Sequence, residues 1–226
     1  MKIYHLPQKI RALAFDMDLT LYTSDEYGRY QTDSLIERLG KIRGLSFDEM
    51  NREVKEARKK WILANSGKKP SLTKVLSLFG ISLEESIHWR EETYEPSLFL
   101  KEDKKLKKSL EELSRFFILG VVTNNPVLVG RKTLAAIGVE GLFSVLVGLD
   151  TCKLAKPDKR PFMKFSELSG CPAETIVSIG DRYDIDLALP LEMGMGGILV
   201  DGAEDVYKLP EILAKYMPGQ VHTNNP

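Results

Sequence analysis

Asp16-Met17-Asp18-Leu19-Thr20 places two carboxylates and a hydroxyl directly after the apolar run Ile10-Arg11-Ala12-Leu13-Ala14-Phe15. A run of that kind reads as a buried strand. Acids one residue apart on an extended chain point to the same side. At the carboxyl end of a parallel strand they face the crevice in which open α/β sheets bind ligands. Like charges that close repel unless a cation or a shared proton relieves them. The pair therefore points to metal-assisted chemistry. The alternative is an aspartate-rich turn that caps a helix and binds nothing.

Three further polar groups follow apolar runs. Val121-Val122-Thr123-Asn124-Asn125 closes the second, and Lys156-Pro157-Asp158 lies beyond the third. The fourth ends in Ile179-Gly180-Asp181-Arg182-Tyr183-Asp184-Ile185-Asp186. If the strands are parallel neighbours, all four groups converge on one crevice. Singly they carry little weight: a threonine ending a strand is ordinary, and Lys156 shares its loop with Lys153 and Lys159.

As an ordered quartet, each with a strand pattern before it, these motifs resemble the haloacid dehalogenase superfamily of hydrolases in its phosphatase branch. The resemblance covers nearly the whole chain. It implies that Asp16 is the nucleophile, forming an aspartyl-phosphate. Asp18 is then the general acid for the leaving alcohol and the base for the attacking water, with its backbone carbonyl on the metal. Asp181 holds Mg²⁺ together with Asp16 and Asp18. Lys156 neutralises charge on the transferring oxygens and holds Asp16. Thr123 and the backbone amides near Asn124 take the phosphate oxygens. Asp186 matches the family's second acid, at or behind the metal site, while Asp184 reads as the cap of the next helix.

The reading that follows is a Mg²⁺-dependent phosphatase of a small phosphorylated metabolite. A phosphomutase acting on a sugar phosphate and a non-catalytic binding protein on the same scaffold are the alternatives. Asp18 argues against a true dehalogenase, since those relatives lack this second acid. Leu19 stands where many relatives carry glycine or asparagine, and is expected to take an ordinary backbone conformation or tuck into the core.

The elements that position these groups are legible as an alternation. Strand patterns cover Ile10–Phe15, Phe116–Thr123, Phe143–Leu149, Thr175–Gly180 and Gly197–Val200. Helical patterns over Val127–Ile137, Lys159–Leu168 and Ile185–Met193 each end at a glycine, a common helix stop. Strands alternating with helices argue for a parallel sheet covered on both faces.

Between the first two strands the pattern is helical. Ser46-x-x-Glu49 and Ser82-x-x-Glu85 read as capping boxes, and Phe47, Met50, Val54, Ala57, Trp61 and Ile62 recur at helical spacing. A break at Asn65–Pro70, a short helix over Leu72–Phe79, a linker at Glu95-Pro96-Ser97 and a basic helix over Lys101–Arg115 complete the segment. The expected architecture is a Rossmann-like, three-layer parallel-sheet core of residues 1–22 and 96–226. An all-helical cap, residues 23–95, is inserted in it and matches the family's helical cap type.

Composition narrows the partners. The 226 residues are 43% apolar and 28% charged, with 32 basic and 32 acidic side chains, so no bulk positive charge favours nucleic acid. No stretch approaches the ~20 apolar residues of a spanning helix, and the amino-terminal apolar run is too short for a signal peptide. Cys152 and Cys171 are too few for a disulfide framework or a zinc site. These features suggest a reduced, cytoplasmic protein, monomeric or a small homo-oligomer, that engages neither nucleic acid nor membrane. Cys171 is expected in packing and Cys152 as a bystander. Trp61 and Trp89 are expected in helical cores, and Lys59, Lys60, Lys68 and Lys69 on a solvated face. His5, His88 and His222 are not spaced for catalysis.

Overall fold

The computed structural model describes residues 1–217; the tail 218–226, expected to be loose, and His222 within it lie outside the described residues. The chain divides into two compact units, residues 1–23 with 100–217 and residues 24–99. The first is a three-layer α/β unit with a six-stranded sheet.

In chain order its strands are β1 (Lys2–His5), β2 (Ala12–Phe15), β3 (Ile118–Val122), β4 (Val145–Val147), β5 (Ile176–Gly180) and β6 (Gly196–Leu199). They lie in the order β1-β6-β5-β2-β3-β4, all parallel except β1. β2 is central, and every one of its four residues is buried, as expected for a parallel strand covered on both faces. Ala12 and Ala14 pack with Phe162 and Phe165 of a helix over Lys159–Ser169 and with Cys171. Leu13 and Phe15 point to the opposite face. Phe15 pairs with Val121 on one side and Ile179 on the other. The residues after β2, β3 and β5 therefore emerge side by side, at the point where the strand order reverses.

β1 has no counterpart among the strand patterns of the sequence. It is an edge strand, antiparallel to β6 and exposed along its whole length. Backbone pairing holds it, so no buried face imposes an alternating pattern.

The helical unit contains α1 (Asp25–Arg43), α2 (Phe47–Ala64), α3 (Leu72–Leu78) and α4 (Leu83–Thr93). Ser24 caps α1 by accepting from the Tyr27 N–H, and Gly44, at φ 69, ends it. Both expected capping boxes form: the Glu49 carboxylate accepts from the Ser46 N–H and the Glu85 carboxylate from the Ser82 N–H, each at 2.9 Å. Such a cap stabilises a helix by about 1 kcal/mol. Met50 and Val54 are the buried positions of α2, and Trp89 is buried on α4 while Trp61 is half-buried. Lys59, Lys60, Lys68 and Lys69 are exposed.

Glu95-Pro96-Ser97, expected as a linker, instead opens a 3₁₀ turn, Pro96–Leu98, of the helical unit. The Phe99 ring lies 4.6 Å from that of Tyr30 and 5.5 Å from that of Tyr27, which ties the turn to α1. The basic helix begins later, as α5 (Lys104–Ser114), with Asp103 as its cap. The rest of the α/β unit adds α6 (Val127–Ala136), α7 (Leu149–Cys152), α8 (Lys159–Ser169), α9 (Ala188–Glu192), α10 (Ala203–Val206) and α11 (Leu209–Ile212). A π-helical turn, Tyr183–Leu187, runs directly into α9.

Candidate active site

Asp16 is the first residue beyond β2, and its N–H donates to the Ile179 carbonyl at 2.7 Å. The strand hydrogen bonding thus runs on into the site and fixes the Asp16 backbone. Beyond it the chain turns. The Leu21 N–H donates to the Met17 carbonyl at 2.9 Å, Leu19 adopts φ 60, and Asp18 and Tyr22 form an isolated bridge. One sequence expectation is refined here and one is corrected. β2 ends at Phe15, so Asp16 and Asp18 lie in the turn beyond the strand, where the Asp18 charge still acts on the Asp16 carboxyl. Leu19 neither takes an ordinary conformation nor enters the core: it is left-handed and 42% exposed.

Lys156 joins the acids. Its ammonium lies 2.5 Å from Asp16 Oδ1 and 2.6 Å from Asp186 Oδ1, and all three side chains are nearly buried. Asp181 adds a third carboxylate, since one oxygen from each of Asp16, Asp181 and Asp186 lies within 4.8 Å of the others. Three carboxylates against one ammonium leave two negative charges in a poorly solvated place. Burial raises the Asp16 carboxyl well above the usual range, although Lys156 pulls the other way. Burial, then the charge of Asp186, push Asp181 up to about 6. Burial disfavours the Lys156 ammonium too, but the Asp16 and Asp186 carboxylates outweigh it and hold Lys156 protonated above its ordinary range. Both shifts disfavour the ionised carboxylates, which marks a place short of positive charge. A divalent hard cation would supply the two missing charges, and an all-oxygen donor set suits one of the Mg²⁺ class.

The supports of this cluster come from distant segments. Asn124 Nδ2 donates to the Lys156 carbonyl at 3.3 Å, and Asn124 Oδ1 accepts from the Lys156 N–H at 2.7 Å. Asp186 also accepts from the Arg182 N–H at 3.1 Å, and its carbonyl accepts from the Ser178 hydroxyl at 2.7 Å. Gly180 is required beneath it, because a Cβ there would stand 2.4 Å from the Asp186 Cβ. The Asn125 N–H donates to Thr123 Oγ1 at 3.1 Å, and the Val127 N–H at the start of α6 donates to Asp150 Oδ1 at 2.9 Å.

The structure therefore brings Asp16, Lys156, Asp181 and Asp186 together, with Thr123 and Asn124 in the loop after β3. Asp18 sits in the same segment as Asp16, and its carboxylate has partners of its own: Oδ1 accepts from the Tyr22 hydroxyl and Oδ2 from Asn125 Nδ2, the latter at 2.9 Å. Asp184 does not cap a helix. It pairs with Arg182 at 3.2 Å and is 70% exposed, because the π-helical turn carries it outward and Asp186 inward. Tyr22 and Asn125 received no role from the sequence, since nothing in their spacing marks them as partners of Asp18. Thr20 is fully buried, and its hydroxyl has no hydrogen-bond partner among the described residues. Cys152 packs beside the core cluster that contains Cys171. Burial pushes its thiol up, which disfavours a reactive thiolate.

The sequence profile of the haloacid dehalogenase-like hydrolases matches residues 13–200. A glyceraldehyde 3-phosphate phosphatase of Methanothermobacter thermautotrophicus is 28% identical over 88 residues, a match spanning 39% of this chain and 39% of that relative's length. Among solved structures, a HAD phosphatase of Thermococcus onnurineus superposes with a TM-score of 0.60 at 21% identity, over 90% of this chain and 98% of that one. A β-phosphoglucomutase of Clostridium difficile superposes with a TM-score of 0.56 at 15% identity, over 92% and 97% of the two chains. At these identities the two structural likenesses speak to fold alone. Among the described residues, no helix is long and apolar enough to cross a membrane.

Proposed function

The chain belongs to the haloacid dehalogenase-like hydrolases, and on that premise we propose that it is a Mg²⁺-dependent phosphatase of a small phosphorylated metabolite. One observation carries the reading: the Lys156 ammonium bridges Asp16 and Asp186, and Asp181 brings its carboxylate to the same cluster. The partial match to a glyceraldehyde 3-phosphate phosphatase supports phosphate monoesters as the substrate class.

In this reading Asp16 attacks phosphorus and its new P–O bond replaces the bond to the leaving oxygen, which takes a proton from Asp18. Water then attacks the aspartyl-phosphate, Asp18 takes its proton, and the acyl phosphate P–O bond breaks to free inorganic phosphate. Lys156 keeps Asp16 in place and balances charge gathering on the phosphoryl oxygens. Thr123 and the amides of its loop receive those oxygens. Mg²⁺, held by Asp16, Asp181 and the Asp18 carbonyl with Asp186 behind, would supply the electrostatic shielding that lets an anion approach an anion. The helical unit, inserted in the chain between β2 and β3, is read as the cap that sets substrate choice.

The test is phosphate release from 4-nitrophenyl phosphate and a panel of phosphorylated metabolites. Turnover is expected with Mg²⁺, is lost in EDTA, and is abolished in a folded Asp16→Asn variant. Substantial turnover by that variant, or indifference to EDTA, overturns the reading.

A further inference from the structure

The Asp18 carboxylate is gripped from two sides, by two donors that belong to different segments. Tyr22 reaches it from four positions along the same loop, and Asn125 from 107 positions away, just beyond β3. Both donors are buried, Tyr22 to 7% and Asn125 to 8% exposure, so water competes weakly for their hydrogen bonds.

Neither donor is loosely placed. The left-handed backbone at Leu19 folds the loop so that Tyr22 lies beside Asp18. Asn125 is pinned at its own backbone: its N–H donates to Thr123 Oγ1, and its carbonyl accepts from the Leu149 N–H at 2.9 Å. Each oxygen of Asp18 therefore meets a donor that is itself anchored. An aspartate side chain has only two torsions, so two fixed donors define its rotamer.

We propose that Tyr22 and Asn125 are positioning residues, which aim the Asp18 carboxyl at the leaving-group oxygen. The proposal rests on the reading of Asp18 as the acid of the phosphatase reaction. Proton donation matters most when the leaving oxygen is strongly basic, as in an alkyl phosphate. A nitrophenolate departs without help. A misaimed Asp18 therefore lowers kcat/KM, which reports leaving-group departure and not the later attack of water, selectively for alkyl phosphates, whereas general disruption of the site lowers it for all substrates alike.

The experiment measures kcat/KM with Mg²⁺ for phosphate esters running from 4-nitrophenyl through phenyl to a simple alkyl phosphate. Wild type, Tyr22→Phe, Asn125→Ser and Asp18→Asn are compared. Tyr22→Phe and Asn125→Ser are each expected to lose about 10- to 100-fold on the alkyl ester, a share of the ~10²–10⁴-fold typical of general acid catalysis. On the 4-nitrophenyl ester they should stay within about 3-fold of wild type, and the steeper leaving-group dependence should approach that of Asp18→Asn. Equal losses on all esters, or no loss on any, overturn the clamp. If Asp18→Asn itself spares the alkyl ester, the assignment of Asp18 fails and the clamp falls with it. If Asp18→Asn loses the alkyl ester while both clamp variants match wild type, the clamp alone is wrong. Should Tyr22→Phe fail to fold, Asn125→Ser tests the clamp by the same comparison of esters.

Discussion

The side-chain amide of Asn124 is closed on the backbone of Lys156, with its oxygen accepting from the Lys156 N–H at 2.7 Å and its nitrogen donating to the Lys156 carbonyl at 3.3 Å. This pair ties the loop after β3 to the loop that carries the ammonium. Asn124 thus has a second task besides the phosphate contact expected of its backbone: it sets the base from which Lys156 reaches Asp16. Asn124→Ala should lower kcat by about 10- to 100-fold, the scale on which small misplacements of catalytic groups act. The lost hydrogen bonds should cost about 1–2 kcal/mol of stability. Steady-state kinetics and urea unfolding of the same preparation test both.

Lys156→Met removes the one ammonium from a buried cluster of acids and leaves Asp16 and Asp186 facing each other. Breaking a buried ion pair on one side costs about 3–5 kcal/mol, and a loss of that order is expected at pH 7. The penalty should shrink at pH 5, where Asp16, whose carboxyl burial already raises, takes up a proton. Urea titrations at the two pH values measure the difference.

Asp181 links the site to pH. Its carboxyl is held at about 6 in the folded protein, against an ordinary value of 3.8. The folded state therefore holds more protons in that interval, and the stabilisation present below it is lost as pH rises through about 6. In EDTA, the melting temperature of wild type should fall from pH 4.5 to 6.5 by more than that of Asp181→Asn. Added Mg²⁺ should raise the wild-type value strongly at pH 7 and little at pH 4.5. Parallel slopes for the two proteins would remove Asp181 as the titrating group.

Leu19 offers a stabilising change. A non-glycine residue in the left-handed region costs about 1–2 kcal/mol, and 42% exposure limits what its side chain returns in packing. Leu19→Gly should therefore raise stability by about 0.5–1 kcal/mol after the extra chain entropy of glycine is subtracted. That corresponds to about 1–4 °C in melting temperature for a protein of this size. An unchanged or lower melting temperature would mean that Leu19 is held by packing instead.

What the sequence determined by itself is whatever depends on neighbours a few positions apart. The all-buried run of β2, the alternation of later strands and helices, and the serine–glutamate caps of α2 and α4 are set by periodicity and local hydrogen bonding. The four groups at strand ends were legible for the same reason, because each directly follows or lies just beyond an apolar run. Tertiary structure decided the rest. Spacing singles out Asp186 over Asp184 only through the family resemblance, and it is the π-helical turn that sends Asp184 to solvent and Asp186 to Lys156, 30 positions away. Lys156 and Asp16 meet across 140 positions, and Asn125 and Asp18 across 107. No local pattern encodes such pairs: strand order brings their backbones together, and loop conformation then sets where each carboxylate points.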